Sequence, residues 1–452
     1  MAINRTQYEV PCIEGRKAGK GILKVAVPGS KSVTNRALLL AMLADGKSTL
    51  EGVLFSDDTR HFLDCAEKLG FPVEVDEKNQ RVVVTGMGGR IPKKEASIYV
   101  GSAGTAARFL TALLGINEGT YHLDSSGQMK KRPMESLLDS LKQLGTSIEY
   151  HGKEGYFPYT LRYQKEQEER SDGRKEVTVD INKSSQFLSA LLISLVCLKE
   201  GLCIHVNGEH GMAYIGITTD MMKEFGVTVL KEGEREFVIP ADSHYHGRIY
   251  QIEPDVSAAC YFYAMAPLLN RPVQVSHVHF DLMQGDLGFI HMLQKMGCQV
   301  TDEKEGIVVR PPVDGILHGI HADMHACSDQ AITMAALAPF AKEETVISGI
   351  AHIRLQESDR MKAIVTELER LGVDCEMGED EIRIKPGTPH AGTVHTYDDH
   401  RMAMGFSLIG LKVPGIIIDD PMCCKKTFET YFDVLDELLN DSFSTADKRK
   451  DR

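Results

Sequence analysis

Five times along the chain an amphipathic, helix-like segment ends in Leu-Gly or a close variant and runs straight into a short β-like stretch. The copies are CAEKLGFPVEV from Cys65, LLDSLKQLGTSIEY from Leu137, TDMMKEFGVTVL from Thr219, HMLQKMGCQV from His291 and VTELERLGVDCEM from Val365. Their glycines (Gly70, Gly145, Gly226, Gly297 and Gly372) lie 71 to 81 residues apart. Glycine adopts a left-handed conformation at little cost, so each segment reads as a helix stopped by glycine and followed by a strand.

A second pattern repeats in step with the first. A polar or acidic start precedes an apolar helix, a turn and a strand, in SKSVTNRALLLAMLADGKSTLEG, SAGTAARFLTALLGINEGTYHL, NKSSQFLSALLISLVCLKEGLCIHV, PDVSAACYFYAMAPLLNRPVQVSHV, SDQAITMAALAPFAKEETVISGI and YDDHRMAMGFSLIGLKVPGIIID. A unit of roughly 70 to 80 residues is too small to bury such a helix alone, so six units must pack on one another. We expect an α/β protein of two domains, three units each: residues 30–252 in one, 1–29 with 253–440 in the other, and 441–452 as a polar tail. The segments before Lys31 and around Tyr250 are the expected hinges. The charged stretches Tyr163–Glu176 and Asp441–Arg452 read as a solvated loop and a frayed tail.

Composition narrows the class. With 452 residues, 42% hydrophobic and 25% charged, the chain is long enough for two or three domains and is neither fibrous nor mostly disordered. A net charge of −13 argues against non-specific nucleic-acid binding but leaves room for anions if the cations gather in one cleft. MAINRTQYEV has no apolar secretory core, and the strongest apolar run, Phe187 to Leu198, is too short to span a bilayer. The ten cysteines stand singly except for Cys423 and Cys424 and form no C-x-x-C, as expected of reduced thiols. The expectation is a cytoplasmic protein without a membrane or nucleic-acid partner.

The starts of the six apolar helices are where chemistry is expected. Free N–H groups and the positive dipole end make a helix N-terminus an anion site, although the same Ser and Asp residues also serve as plain N-caps. VPGSKSVTNRALLL places Lys31 and Ser32 at a loop exit and Arg36 one turn on. It is not a phosphate-binding P-loop, because no G-x-x-x-x-G-K frame exists.

Together with eight further blocks in the same order, this motif closely resembles the 5-enolpyruvylshikimate-3-phosphate synthase family of enolpyruvyl transferases. The blocks are SDDTRHFLDCAEKLG, GSAGTAARFL, MKKRPMESLLDSLKQLG, SSQFLSALL, SDQAITMAALAPFAK, QESDRMKAIVTELERLG, TYDDHRMAMGFSL and the Lys426-Thr427-Phe428 run. The resemblance implies a two-domain fold of six βαβαββ-type units with the active site in the interdomain cleft. It also implies transfer of the enolpyruvyl group of phosphoenolpyruvate to the 5-hydroxyl of shikimate 3-phosphate, with phosphate released. No cofactor and no metal are implied, the chain is expected to act as a monomer, and glyphosate is the family's inhibitor at the phosphoenolpyruvate site.

Carried over position by position, the resemblance assigns Lys31, Ser32 and Arg36 to shikimate 3-phosphate, with Lys31 also reaching phosphoenolpyruvate and acting in catalysis. Ser184 and Ser185 match residues on the 3-phosphate, and Gln186 one spanning both ligands. Gly104 and Arg132 match phosphoenolpyruvate contacts, Arg360 and Arg401 the pair on its carboxylate, and Lys426 the lysine on its phosphate. Asp329 matches the acid-base residue facing the 5-hydroxyl, and Glu357 the acid beside the phosphoenolpyruvate methylene. The two ligands carry about five or six negative charges between them, so several fixed cations are required.

Four departures from the family pattern are visible: Gln356 where a lysine is frequent, His352 for asparagine, Gly211-Met212-Ala213-Tyr214 for a Ser-containing run, and Phe109 for proline. A rival within the fold, the transferase acting on UDP-N-acetylglucosamine, usually has Lys-Asn where this chain has Lys31-Ser32, and a reactive loop cysteine absent between Arg108 and Arg132. Histidines such as His318, His321 and His325 have spacing that can hold zinc, but no H-E-x-x-H or partner cysteine accompanies them. A non-catalytic scaffold is disfavoured by the intact Lys31, Asp329, Glu357, Arg360 and Arg401 set.

Overall fold

A computed structural model describes residues 6–13, 21–164, 174–209 and 211–442. Most of the charged stretch between Tyr163 and Glu176, and the tail beyond Ser442, lie outside them. The chain divides into two compact units, Gly29–Glu253 and Met1–Pro28 with Pro254–Arg452.

The Gly29–Glu253 unit contains helices α1 (Lys31–Leu43), α2 (Asp57–Lys68), α3 (Gly104–Gly115), α4 (Glu135–Gln143), α5 (Gln186–Leu195) and α6 (Met212–Glu224). From Val33 onward every residue of α1 is buried, as are all of α3 and, after Gln186, all of α5. The three pack on one another at the centre of the unit. That arrangement explains helices without a polar face: each is covered by its two counterparts and by sheet. Helices α2 and α4 keep an exposed polar stripe.

Among the described residues, five of the six repeats form a four-stranded sheet with one pairing pattern, and the last forms a three-stranded one. In the second repeat Glu95–Tyr99 runs parallel to Gly119–Asp124, which pairs antiparallel with Tyr159–Tyr163, itself antiparallel to Ser147–Tyr150. Lys175–Asp180, Leu202–Asn207, Glu236–Ile239 and Leu230–Lys231 repeat that order. In the first repeat the parallel strand comes from the far end of the unit: Ile249–Gln251 lies beside Asp45–Glu51.

The other unit repeats the plan with α7 (Val256–Leu269), α8 (Leu287–Lys295), α9 (Ala331–Leu337), α10 (Arg360–Arg370), α11 (His400–Gly410) and α12 (Tyr431–Ser442). Here α7, α9 and α11 are the central buried helices. Its first sheet takes the parallel strand Leu23–Val25 from the chain's beginning, beside Val273–Val275. Its last sheet pairs Tyr8–Glu9 antiparallel with Ile416–Ile418.

The five glycines of the Leu-Gly repeats all have positive φ, between +83° and +105°. Any L-residue there would be strained, which is why the repeat is legible in sequence. Gly29 answers to a different demand, since a Cβ at that position would run into the Gly52 carbonyl. Among the described residues no helix is long and apolar enough to cross a membrane.

Candidate active site

Burying a cation is costly unless something compensates it, so buried lysines and arginines mark positions under functional constraint. Seven are buried among the described residues: Arg36, Arg108, Arg132, Arg271, Arg360, Arg401 and Lys426. Five of the seven are residues that the sequence motifs singled out.

In the Gly29–Glu253 unit these residues gather at the N-terminal ends of the central helices. Ser30 caps α1 by accepting from Val33 N–H at 3.5 Å, and Lys31 and Ser32 form its first turn. Lys31 Nζ lies 4.0 Å from the buried Asp58 carboxylate. The Arg36 guanidinium donates to Thr218 Oγ1 (2.8 Å), Ser189 Oγ (3.2 Å) and the carbonyls of Ser32 (3.0 Å) and Tyr214 (3.2 Å). All four acceptors are neutral, and burial lowers its pKa to about 10. The Phe109 ring lies below the guanidinium, 5.6 Å from centroid to Cζ.

Helices α3 and α5 begin without a side-chain cap. Capping by Ser or Asp is therefore not what their starts are built for, unlike α1, α2, α7, α10 and α11, each of which has a Ser or Asp cap. At the start of α3, a Cβ on Gly104 would fall 2.6 Å from Arg132 Nη1 and 2.7 Å from Arg108 Nη1. The glycine thus lets two guanidiniums approach the helix end. At the start of α5, Gln186 Nε2 donates to Thr105 Oγ1 at 3.3 Å, while its buried Oε1 accepts no hydrogen bond from the described residues. Ser184 Oγ accepts from Gln186 N–H at 3.3 Å, and Ser185 is buried beside it.

The second unit assembles its residues differently. Arg360, the first residue of α10, donates to both oxygens of Asp399 (2.8 and 3.2 Å), to Glu357 Oε2 (2.8 Å) and to Asp329 Oδ1 (2.9 Å). One guanidinium therefore carries both proposed acid-base carboxylates. Arg401 donates to the other Asp329 oxygen (2.7 Å) and to Tyr261 Oη (3.3 Å), and Lys426 Nζ lies 3.1 Å from Glu357 Oε1. Burial works against the charge on Arg360, but Asp399, Glu357 and Asp329 outweigh it and hold its pKa above the ordinary value. Asp399 also caps α11, accepting from Arg401 N–H at 3.0 Å.

Asp286 sits behind Asp329, accepting from Ser257 Oγ (2.7 Å) and Gln330 Nε2 (3.2 Å). Burial, and then the charge of Asp329, push its pKa up to about 6. His352 bonds Ser328 Oγ at 2.7 Å, and burial together with neighbouring His325 lowers its pKa to about 4. The histidines considered for zinc do not converge: His318 faces Glu343 and Asp314, and His321 faces Ser348. Among the described residues no group of three or more His, Cys, Asp or Glu could hold a metal ion.

Sequence motifs located most of these side chains but missed some supports. Thr218 and Ser189, which hold Arg36, lie in apolar helices where nothing local singles them out. Asp399 was within reach, since an Asp directly before an apolar helix is the N-cap signature.

Solved structures share this architecture. The enolpyruvyl transferase NikO from Streptomyces tendae matches with a TM-score of 0.70 over 96% of both chains, at 16% identity, a likeness of fold alone. EPSP synthase from Acinetobacter baumannii matches with a TM-score of 0.78 at 26% identity, covering 97% of this chain and 98% of that one. The protein accordingly has the enolpyruvyl-transferase fold, built of repeated βα units. Sequence comparison narrows the class: the family model for EPSP synthase (3-phosphoshikimate 1-carboxyvinyltransferase) matches residues 14–435, and the chain belongs to that family. A 3-phosphoshikimate 1-carboxyvinyltransferase from Nostoc punctiforme is 41% identical over 416 residues, 92% of this chain and 96% of the relative. One from Neisseria meningitidis serogroup B is 39% identical over 419 residues, 92% and 95% of the two chains.

Proposed function

We propose that this protein transfers the enolpyruvyl group of phosphoenolpyruvate to the 5-hydroxyl of shikimate 3-phosphate and releases phosphate. The observation that carries the reading is the buried cation set, held at the helix starts of one unit and by carboxylates in the other, in a chain of this family. Two strongly anionic substrates are the chemistry such a set serves.

In this reading Lys31, Ser32, Arg36, Ser184, Ser185 and Gln186 bind shikimate 3-phosphate. The uncapped starts of α3 and α5 add backbone donors, and the orphan Oε1 of Gln186 offers an acceptor for a hydroxyl. Arg132, Arg360, Arg401 and Lys426 take the carboxylate and phosphate of phosphoenolpyruvate, with Gly104 leaving room. Glu357 protonates C3 of phosphoenolpyruvate, C2 becomes cationic, and the 5-hydroxyl attacks it as Asp329 takes the proton. The tetrahedral adduct then loses a C3 proton and phosphate to leave the enolpyruvyl ether.

The ligand-free pairing gives this scheme a physical trigger. Arg360, Arg401 and Lys426 are neutralised by Asp329, Glu357 and Asp399. An arriving anion competes with Asp329 and Glu357 for those cations. A carboxylate that loses its cation favours the protonated form, which is what a proton donor requires. Each unit supplies part of the cation set that the proposed reaction uses. The protein works in the cytoplasm as a monomer.

A phosphate-release assay tests the reading, run with phosphoenolpyruvate and either shikimate 3-phosphate or UDP-N-acetylglucosamine. Release is expected with shikimate 3-phosphate alone. Release only with the nucleotide sugar, or with neither, overturns it.

A further inference from the structure

Between the strand Gly392–Val394 and helix α11 the chain makes one tight turn, residues 396–399, closed by Asp399 N–H donating to the Thr396 carbonyl at 2.9 Å. Both central residues have positive φ, +56° at Tyr397 and +55° at Asp398. That is the pattern of a type I′ turn, whose central places suit Gly, Asn and Asp; a bulky L-residue such as tyrosine is strained there. Strain of this kind persists only where the surroundings over-determine it. Burial of the ring is not what does so, since Tyr397 is 41% exposed. The hydroxyl is the anchored part: it donates to Glu367 Oε1 at 2.6 Å. Glu367 is fully buried, and its other oxygen accepts from His395 N–H at 3.0 Å and from Arg370 Nε at 3.1 Å. Asp419 holds the residue between, accepting from Thr396 N–H at 3.0 Å.

We propose that Glu367 and Tyr397 are positioning residues for the phosphoenolpyruvate side of the site: their hydrogen bond holds the turn 396–399 in its left-handed form, and the turn fixes where Asp399 and Arg401 stand. The assignment follows from what the turn leads into. Asp399, its last residue, caps α11 and accepts two hydrogen bonds from Arg360, and Arg401 is the second residue of that helix. Arg360 and Glu367 stand seven residues apart on α10, two helical turns along one face. One helix therefore holds the segment at residue 399 and again at residues 395 and 397. Relaxation of the turn toward negative φ would carry Asp399 away from Arg360 and tilt the start of α11. Neither Glu367 nor Tyr397 has to touch a substrate; each acts through Asp399 and Arg401. The effect on turnover rests on the function proposed above, whereas the hold on the turn does not.

Two substitutions that remove the same hydroxyl separate the turn from the bond. Tyr397→Phe keeps a residue that resists positive φ, whereas Tyr397→Asn supplies one that tolerates it. Since one hydrogen bond to a charged group is worth about tenfold or more in an equilibrium, Tyr397→Phe should raise the KM for phosphoenolpyruvate by about that factor. Its KM for shikimate 3-phosphate should stay level. Tyr397→Asn should bring the phosphoenolpyruvate KM back near the parent value. Hydrogen exchange gives a readout free of turnover: amides of residues 395–401 should exchange faster in Tyr397→Phe than in the parent or in Tyr397→Asn. Equal exchange in all three proteins, an unchanged KM in Tyr397→Phe, or an equal rise in both variants overturns the hold on the turn. Equal rises in the KM values of the two substrates overturn its link to the phosphoenolpyruvate side. A parent protein without turnover refutes the function proposed above, while the exchange rates still decide the turn.

Discussion

The two units compensate their buried cations by opposite means. In the Gly29–Glu253 unit Arg36 is compensated by neutral oxygens, those of Thr218, Ser189, Ser32 and Tyr214. Its charge is therefore dispersed among dipoles rather than cancelled, and an incoming anion meets a standing positive field. In the other unit Arg360, Arg401 and Lys426 are cancelled by Asp329, Glu357 and Asp399. The lesson is one of timing. In the proposed reading the surroundings of Arg36 form a preformed anion cradle. The second unit holds a closed ion network, and in the proposed reaction it exchanges partners with the arriving anion and releases the carboxylates proposed as acid and base.

The strongest way to break this contrast is to remove the anchor of the closed network. Asp399→Ala strips a fully buried carboxylate from Arg360 and the cap from α11. Losing one partner of a buried pair should cost about 3–5 kcal/mol in urea unfolding, against about 1.5–3 kcal/mol for Thr218→Ala, which removes one neutral acceptor from the Arg36 guanidinium. Equal costs would mean the two units do not differ as described.

Catalysis sharpens the same contrast. Glu357→Gln and Asp329→Asn should each lower kcat by about 100-fold or more. Their KM for phosphoenolpyruvate should stay level or fall, because Arg360 and its neighbours lose a competing anion. Near-normal kcat in Glu357→Gln removes Glu357 from the mechanism. A sharply raised KM shows that the pairing does not compete with substrate.

Asp286 extends the network to pH. A carboxyl whose folded pKa is raised from 3.8 to about 6 contributes most stability below the unfolded value and loses it as pH rises through 6. Asp286→Asn removes that loss, so it should gain on the parent between pH 4 and 7, by on the order of 2–3 kcal/mol. Thermal melts at pH 4 and pH 7 check it; a constant difference refutes the raised pKa.

The smallest effect is expected in the cradle. The methyl of Gly104→Ala meets the flexible ends of Arg132 and Arg108, which can yield, so folding should survive. Overpacking of roughly 1–3 kcal/mol should fall on ligands held by Arg132, and more heavily on glyphosate than on the shorter phosphoenolpyruvate. The ratio of glyphosate Ki to phosphoenolpyruvate KM should rise. An unchanged ratio removes Gly104 from the site.

Much of this molecule was legible before its structure. The Leu-Gly spacing marked helix ends because a positive φ admits few residues other than glycine, and all five glycines have one. Helices apolar on every side required partners, and found them as two sets of three around a common centre. Five of the seven buried cations were legible because short motifs at helix starts keep side chain and backbone in one local frame.

Tertiary structure alone decided which strands complete which sheet and which charges meet. Ile249–Gln251 closes the first repeat's sheet, and Leu23–Val25 the fourth's, across 200 and 250 residues of chain, because a free sheet edge takes any strand of matching register and no local signal names it. The single guanidinium of Arg360 gathers Asp329, Glu357 and Asp399 from three separate segments. Sequence determined that these charges exist near helix starts. Only packing could bring the three carboxylates within 3 Å of one guanidinium, since ion pairing depends on distance in space and not on position along the chain.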